Sequence, residues 1–215
     1  MDAKRIVPVL HILEGRVVDP EGRAERGLPA QWARRLEMEG ADELLLVDLS
    51  RDRRGRQGWL EEVAGCLFLP FALEAPFADG SEVAEALASG ADKAVVPAAD
   101  LKRFQVETLG RSRVVAALEA AWSEEDGWDR ALMAMMNLGQ AGAGEILLAA
   151  GTLNLAELCY ATARLATPVV LRCVDPALAV EALAHGADGI AFPAGSRTAG
   201  EFKDLLGDAQ VPLRY

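Results

Sequence analysis

The 215 residues carry a formal net charge of −11, with 51% hydrophobic and 26% charged side chains. That balance fits a folded α/β protein, and the excess of acid argues against a partner held through its phosphate backbone, so no nucleic-acid role is expected. No apolar run approaches the roughly 18 residues that cross a bilayer. No extended apolar stretch follows Met1-Asp2-Ala3-Lys4-Arg5, so no membrane association is expected and the expected compartment is the cytoplasm.

Apolar runs bounded by turn residues predict a first strand over Arg5–Leu10, a helix over Leu28–Glu39 and a second strand over Glu43–Asp48. A strand over Leu69–Leu73, a helix over Ser81–Ser89 and strands over Lys93–Val96 and Arg113–Leu118 follow. The remainder reads as a helix over Asp129–Gly139, strands over Glu145–Leu148 and Val169–Leu171, a helix over Pro176–His185 and a last strand over Gly189–Phe192. The strands are continuous apolar runs rather than alternations, as parallel strands covered on both faces require.

An internal repeat orders these elements. Gly40-Ala41-Asp42, Gly90-Ala91-Asp92, Gly142-Ala143-Gly144 and Gly186-Ala187-Asp188 each close a helical stretch and open an apolar strand. Glycine suits such a helix stop because the stop needs a left-handed residue. Eight strands alternating with helices predict one α/β domain over residues 1–215, a parallel eight-stranded (β/α)8 barrel. The runner-up, a doubly wound open sheet, usually has fewer units and a glycine-rich first turn, which the segment Glu14–Gly22 is not. In a barrel, chemistry belongs to the loops after the C-terminal strand ends. Cys66, Cys159 and Cys173 lack CxxC spacing, and His11 and His185 are scattered, so neither a disulfide framework, a metal nor a cofactor is expected.

The start Ala3-Lys4-Arg5-Ile6-Val7-Pro8 with Gly15-Arg16-Val17-Val18 closely resembles the HisF cyclase family of imidazole glycerol phosphate synthase, in histidine biosynthesis. So do Glu39-Gly40-Ala41-Asp42-Glu43-Leu44, Gly90-Ala91-Asp92-Lys93 and Gly142-Ala143-Gly144-Glu145-Ile146-Leu147-Leu148, and the likeness runs along nearly the whole chain. The resemblance implies a HisA/HisF-like barrel, a bis-phosphorylated substrate gripped at both ends, ammonia delivered by a glutaminase subunit, and two aspartates as acid and base. Against that pattern, the first aspartate falls on His11, after Pro8-Val9-Leu10, and its partner on Glu119. The glycine run after the third strand falls on Glu74-Ala75-Pro76-Phe77, and the glycines after the seventh on Cys173-Val174. A loop lysine is matched by Asp19, an Asn by Pro97 and a Thr-Ser pair by Ala149-Ala150, and the segment after the fifth strand shrinks to Ala120–Gly127. Asp48 survives. A barrel of this family lacking cyclase activity, with a binding or scaffold role, is therefore expected; the alternative is an active or altered lyase or cyclase using His11 and Glu119.

Each candidate has two readings. His11 and Glu119 either face each other as base and acid, or cap the core and meet solvent. Arg172 either holds an anion or pairs with Glu74 or Glu119, and pairing is favoured because an enclosed lone charge is costly. Arg5, Glu43, Lys93 and Glu145 at the N-terminal strand ends match the charged ring that in the cyclase faces the glutaminase; they either plug the barrel bottom or dock a glutaminase-like, HisH-type partner. Arg51-Asp52-Arg53-Arg54-Gly55-Arg56 reads as a solvated loop before a ligand-recognition loop. Trp122 and Trp128 either cover the mouth or pack inward. A polar pocket around His11 and Glu119 favours an enzyme, and a plug of Phe77, Phe192 and Trp122 favours a scaffold.

Overall fold

The computed structural model of the chain describes residues 4–52, 54–104, 106–119, 128–149, 155–195 and 198–208. Its strands are β1 (Arg5–Leu13), β2 (Arg16–Val18), β3 (Glu25–Gly27), β4 (Leu44–Asp48), β5 (Phe71–Glu74), β6 (Lys93–Pro97), β7 (Val114–Leu118), β8 (Glu145–Ala149), β9 (Val169–Arg172) and β10 (Gly189–Pro193). Its α-helices are α1 (Pro29–Met38), α2 (Arg56–Ala64), α3 (Gly80–Ala88), α4 (Val106–Leu109), α5 (Trp128–Gln140), α6 (Leu155–Thr162), α7 (Pro176–Ala184) and α8 (Ala199–Asp208). Strand β1 pairs in parallel with β4 and, through Arg5 opposite Gly189, with β10, which closes β1 and β4 to β10 into a parallel barrel of eight strands. The expected (β/α)8 barrel is the fold.

The Gly-Ala-Asp repeat has a structural meaning beyond its glycine. Gly40, Gly90, Gly142 and Gly186 all take positive φ, between 88° and 112°, and stop their helices as anticipated. The aspartate then ties each new strand to the one before it. Asp42, Asp92 and Asp188 accept from the backbone N–H of Ile6, Phe71 and Val169 at 2.8, 3.0 and 2.8 Å. Their own N–H groups donate back to the carbonyls of the same three residues. The third copy has Gly144 instead, because a Cβ there would lie 2.1 Å from the Arg111 carbonyl oxygen.

The hairpin at the end of β1 escapes the sequence reading. Strand β1 runs on to Leu13 and turns back through Glu14 and Gly15, both at positive φ, to pair antiparallel with β2. A two-residue turn of this kind usually advertises itself as Asn-Gly or Asp-Gly; here Glu14 holds the left-handed position, its N–H bound to the Ser50 hydroxyl at 2.8 Å.

Inside the barrel, side chains stack in layers contributed by alternate strands. Val7, Ala72, Val115 and Val170 form one layer and Leu45, Val95, Leu147 and Ala191 the next, all in one buried apolar cluster. Below them, at the N-terminal strand ends, lie Glu43, Lys93, Glu145 and Gly189. The Arg5 side chain fills the place beside Gly189, where a Cβ would meet the Arg5 Cβ at 3.2 Å. The result is a closed alternating ring. Arg5 Nη1 donates to Glu43 Oε2 at 2.9 Å and to Glu145 Oε2 at 2.8 Å, and Lys93 Nζ donates to Glu43 Oε1 at 2.7 Å and Glu145 Oε2 at 3.0 Å. Burial works against the Arg5 charge, but Glu145 and Glu43 together outweigh it and hold the guanidinium pKa above its usual value. The ring's side chains are between 5% and 17% exposed, so their bonds act in a medium far less screening than water.

Reversing one ring charge should therefore be felt by the whole fold. Lys93→Glu is expected to lower unfolding free energy by about 1–3 kcal/mol in chemical denaturation; an unchanged midpoint would show that the ring contributes nothing to stability.

Candidate functional site

The C-terminal strand ends carry the next interior layer: Val9, Glu74, Ala117 and Arg172. Register puts Glu74 beside Val95 and Arg172 beside Ala191, so both charges point to the barrel axis. Two charges in an apolar layer need one another, and Arg172 Nη2 donates to Glu74 Oε2. Of the two partners weighed for Arg172, the structure gives Glu74. Arg172 Nε is buried and has no acceptor among the described residues.

His11, two residues beyond Val9 on β1, stands above this pair and is partly buried. Burial, and next the Arg172 guanidinium, push its imidazole below the usual pKa, against a weaker upward pull from Glu74 and Glu21. His11 is thus a neutral imidazole at neutral pH. Glu119, one residue past β7, is exposed, and it is not among the charges acting on His11.

Asp48, at the end of β4, is 4% exposed and fully engaged. Its Oδ1 accepts from the Ser50 N–H at 2.9 Å and its Oδ2 from Arg56 Nε at 2.6 Å. Arg56 lies with its guanidinium carbon 5.7 Å from the Phe77 ring centre. The basic segment is therefore not uniformly solvated: Arg51 and Arg54 are exposed, whereas Arg56 is buried at 9% and belongs to the fold. Sequence reasoning missed it because nothing in a run of arginines distinguishes the one that opens a helix beneath an aspartate.

A cleft of about 500 Å³ opens over β4 to β7, a volume ordinary for small-molecule sites. It is lined by Asp48, Glu74 and Glu119 and otherwise by aliphatic residues and prolines, among them Val47, Val95, Pro97 and Leu118. His11 and Arg172 are not part of its wall. Phe77 and Phe192 do not plug the mouth: both are buried in the layer between barrel and helices, Phe192 with its ring centre 4.3 Å from that of Phe202 on α8. Trp122 lies outside the described residues, as do the side chain of Trp128 and the whole of the shortened segment Ala120–Gly127.

The family model described as "Histidine biosynthesis protein" matches residues 5–150. The chain belongs to that histidine biosynthesis family. Among its relatives, the imidazole glycerol phosphate synthase subunit HisF of Thermococcus gammatolerans is 30% identical over 252 aligned residues, covering 100% of this chain and 99% of that protein. The HisF subunit of Thermococcus onnurineus is 29% identical over 256, with the same coverage. That of Lysinibacillus sphaericus is 33% identical over 138, covering 59% of this chain and 54% of that protein. Within this histidine biosynthesis barrel, the two positions that the cyclase resemblance marks for acid and base hold His11 and Glu119, and only Glu119 reaches the cleft.

The two kinds of carboxylate should separate on mutation. Asp48→Ala leaves Arg56 buried without its partner and is expected to cost about 3 kcal/mol or more, while Glu119→Ala stays within about 0.5 kcal/mol of the parent. Equal effects in urea denaturation would contradict the assignment.

His11 gives a pH test. Its folded-state pKa is lowered, so as pH falls through the ordinary histidine range near 6.5 the unfolded chain takes up the proton first and stability declines, down to the folded-state pKa. His11→Gln is expected to lose less stability than the parent between pH 7.5 and 5.5. Parallel losses in the two proteins would contradict the lowered pKa.

Proposed function

We propose that this histidine biosynthesis barrel does not close the imidazole ring and instead serves as a binding or scaffold protein. The observation that carries this reading is the chemistry of the loop after β5. In the cyclase resemblance that loop grips a phosphate with glycines; here Glu74, Ala75 and Pro76 line the cleft, with two further carboxylates and no cation among the described residues of its wall. An anion entering such a wall meets repulsion, and a proline offers it no N–H. His11 without an aspartate partner at the cleft adds little as a base. The alternative, an altered lyase or cyclase working through His11 and Glu119, draws support from the cleft at Glu119, which neither Phe77 nor Phe192 plugs, and from a His11 imidazole that burial and Arg172 hold below its usual pKa.

At the other end we read the Arg5, Glu43, Lys93 and Glu145 ring as a structural plug, since every charge in it is answered within it. A second reading, docking of a glutaminase-like subunit, is favoured by two observations. The relatives are named as subunits of a synthase, and Phe68 and Met38 stand 99% and 79% exposed on the bottom rim, where Glu37 of α1 accepts from the Phe68 N–H.

Purified protein given ammonia and the family's bis-phosphorylated substrate is expected to show no ring closure above background, because loss of the acid/base pair or of the phosphate contacts alone lowers rate by about two or more orders of magnitude. A turnover number within about tenfold of a working cyclase, of order 1–10³ s⁻¹ for enzymes generally, would overturn the proposal.

A further inference from the structure

The cleft over β4 to β7 has a ligand chemistry of its own. Among the described residues, the polar side chains of its wall are all acidic: Asp48, Glu74 and Glu119. Two of these are already answered from outside the wall, Asp48 by Arg56 and Glu74 by Arg172. That leaves Oε1 of Glu74 and the whole Glu119 carboxylate without a donor among the described residues. The remaining lining is aliphatic side chains and prolines, apolar surface that water wets poorly.

Charge and polarity then select the occupant. An anion is repelled by the wall and by a chain of net charge −11. A neutral apolar molecule would strip water from the carboxylates without replacing its hydrogen bonds. A divalent metal finds no triad of His, Cys, Asp or Glu placed to hold it among the described residues, and both Asp48 oxygens are occupied. A small organic ammonium with an apolar body satisfies both halves of the cleft, its N–H groups donating to Glu119 and Glu74 while its body covers Val95, Pro97 and Leu118. We infer that the cleft over β4 to β7 is a binding site for a small primary amine with an apolar body, recognised through Glu119 and Glu74. This rests on the reading that the barrel does not grip a phosphorylated substrate.

The test is calorimetric titration of the full chain with phenethylammonium chloride, with 3-phenylpropionate and inorganic phosphate as separate arms at one ionic strength. Saturable one-to-one binding is expected for the amine alone. Because one charge-assisted hydrogen bond is lost, Glu119→Gln should weaken it about tenfold or more. Ala98→Phe, which adds bulk to the cleft lining while leaving every carboxylate in the chain, should also abolish saturation. The inference is overturned if the amine does not saturate, if 3-phenylpropionate binds as well as the amine, or if both variants bind like the parent. Failure of amine binding with ring closure also absent removes the ligand class and leaves the proposed function standing; saturable binding of phosphate that Ala98→Phe abolishes removes both.

Discussion

A charge enclosed by a closed barrel has nowhere to find solvent, and the cost of leaving it alone amounts to several kcal/mol even after the protein relaxes around it. The described part of the structure meets that constraint by answering interior charges locally. At the bottom, Arg5 and Lys93 alternate with Glu43 and Glu145 around the axis. At the top, Arg172 answers Glu74 and Arg56 answers Asp48. Between the two ends the interior layers are purely apolar, from Val7 up to Leu147.

The pairing has consequences for what each end is able to do. A carboxylate committed to a guanidinium is held in place, which suits a framework. Asp48, the survivor of the family pattern, is such a group: both its oxygens accept bonds from groups of its own chain. Glu119 is the opposite case, exposed at the cleft and without a partner among the described residues. The acid at the mouth thus lies over β4 to β7, and Arg172 reaches across the axis to one of its members, Glu74. On the proposed reading, this acidic wall, rather than any single replaced residue, is what turns this end away from phosphate.

Much of this was legible in the sequence for a physical reason: the Gly-Ala-Asp unit must stop a helix and start a strand, and both jobs restrict residue type. The eight barrel strands and the four helices given expected ranges, α1, α3, α5 and α7, lie within a few residues of their expected places, and Arg172 took one of the two partners weighed for it. The part that was not legible depended on approach between distant segments. Gly189 looks like the first residue of an apolar strand, yet its lack of a side chain gives Arg5 room to reach the ring. Arg56 looks like one more loop arginine until Asp48 is folded beneath it. The β1–β2 hairpin turns on Glu14, whose left-handed backbone no sequence signal announces and whose N–H is held by Ser50, thirty-six positions away. Phe77 and Phe192, weighed as part of a plug that would favour a scaffold, are buried toward the helices instead.

The central claim is that paired and unpaired carboxylates have replaced an anion-binding mouth. Crystals of the protein soaked in sulfate test it most directly, because sulfate seeks free backbone N–H groups and uncommitted cations. The account predicts no ordered sulfate on the loops after β5 and β9, around Ala75 and Cys173. An ordered sulfate held there by backbone N–H groups, or by an Arg172 released from Glu74, would contradict it.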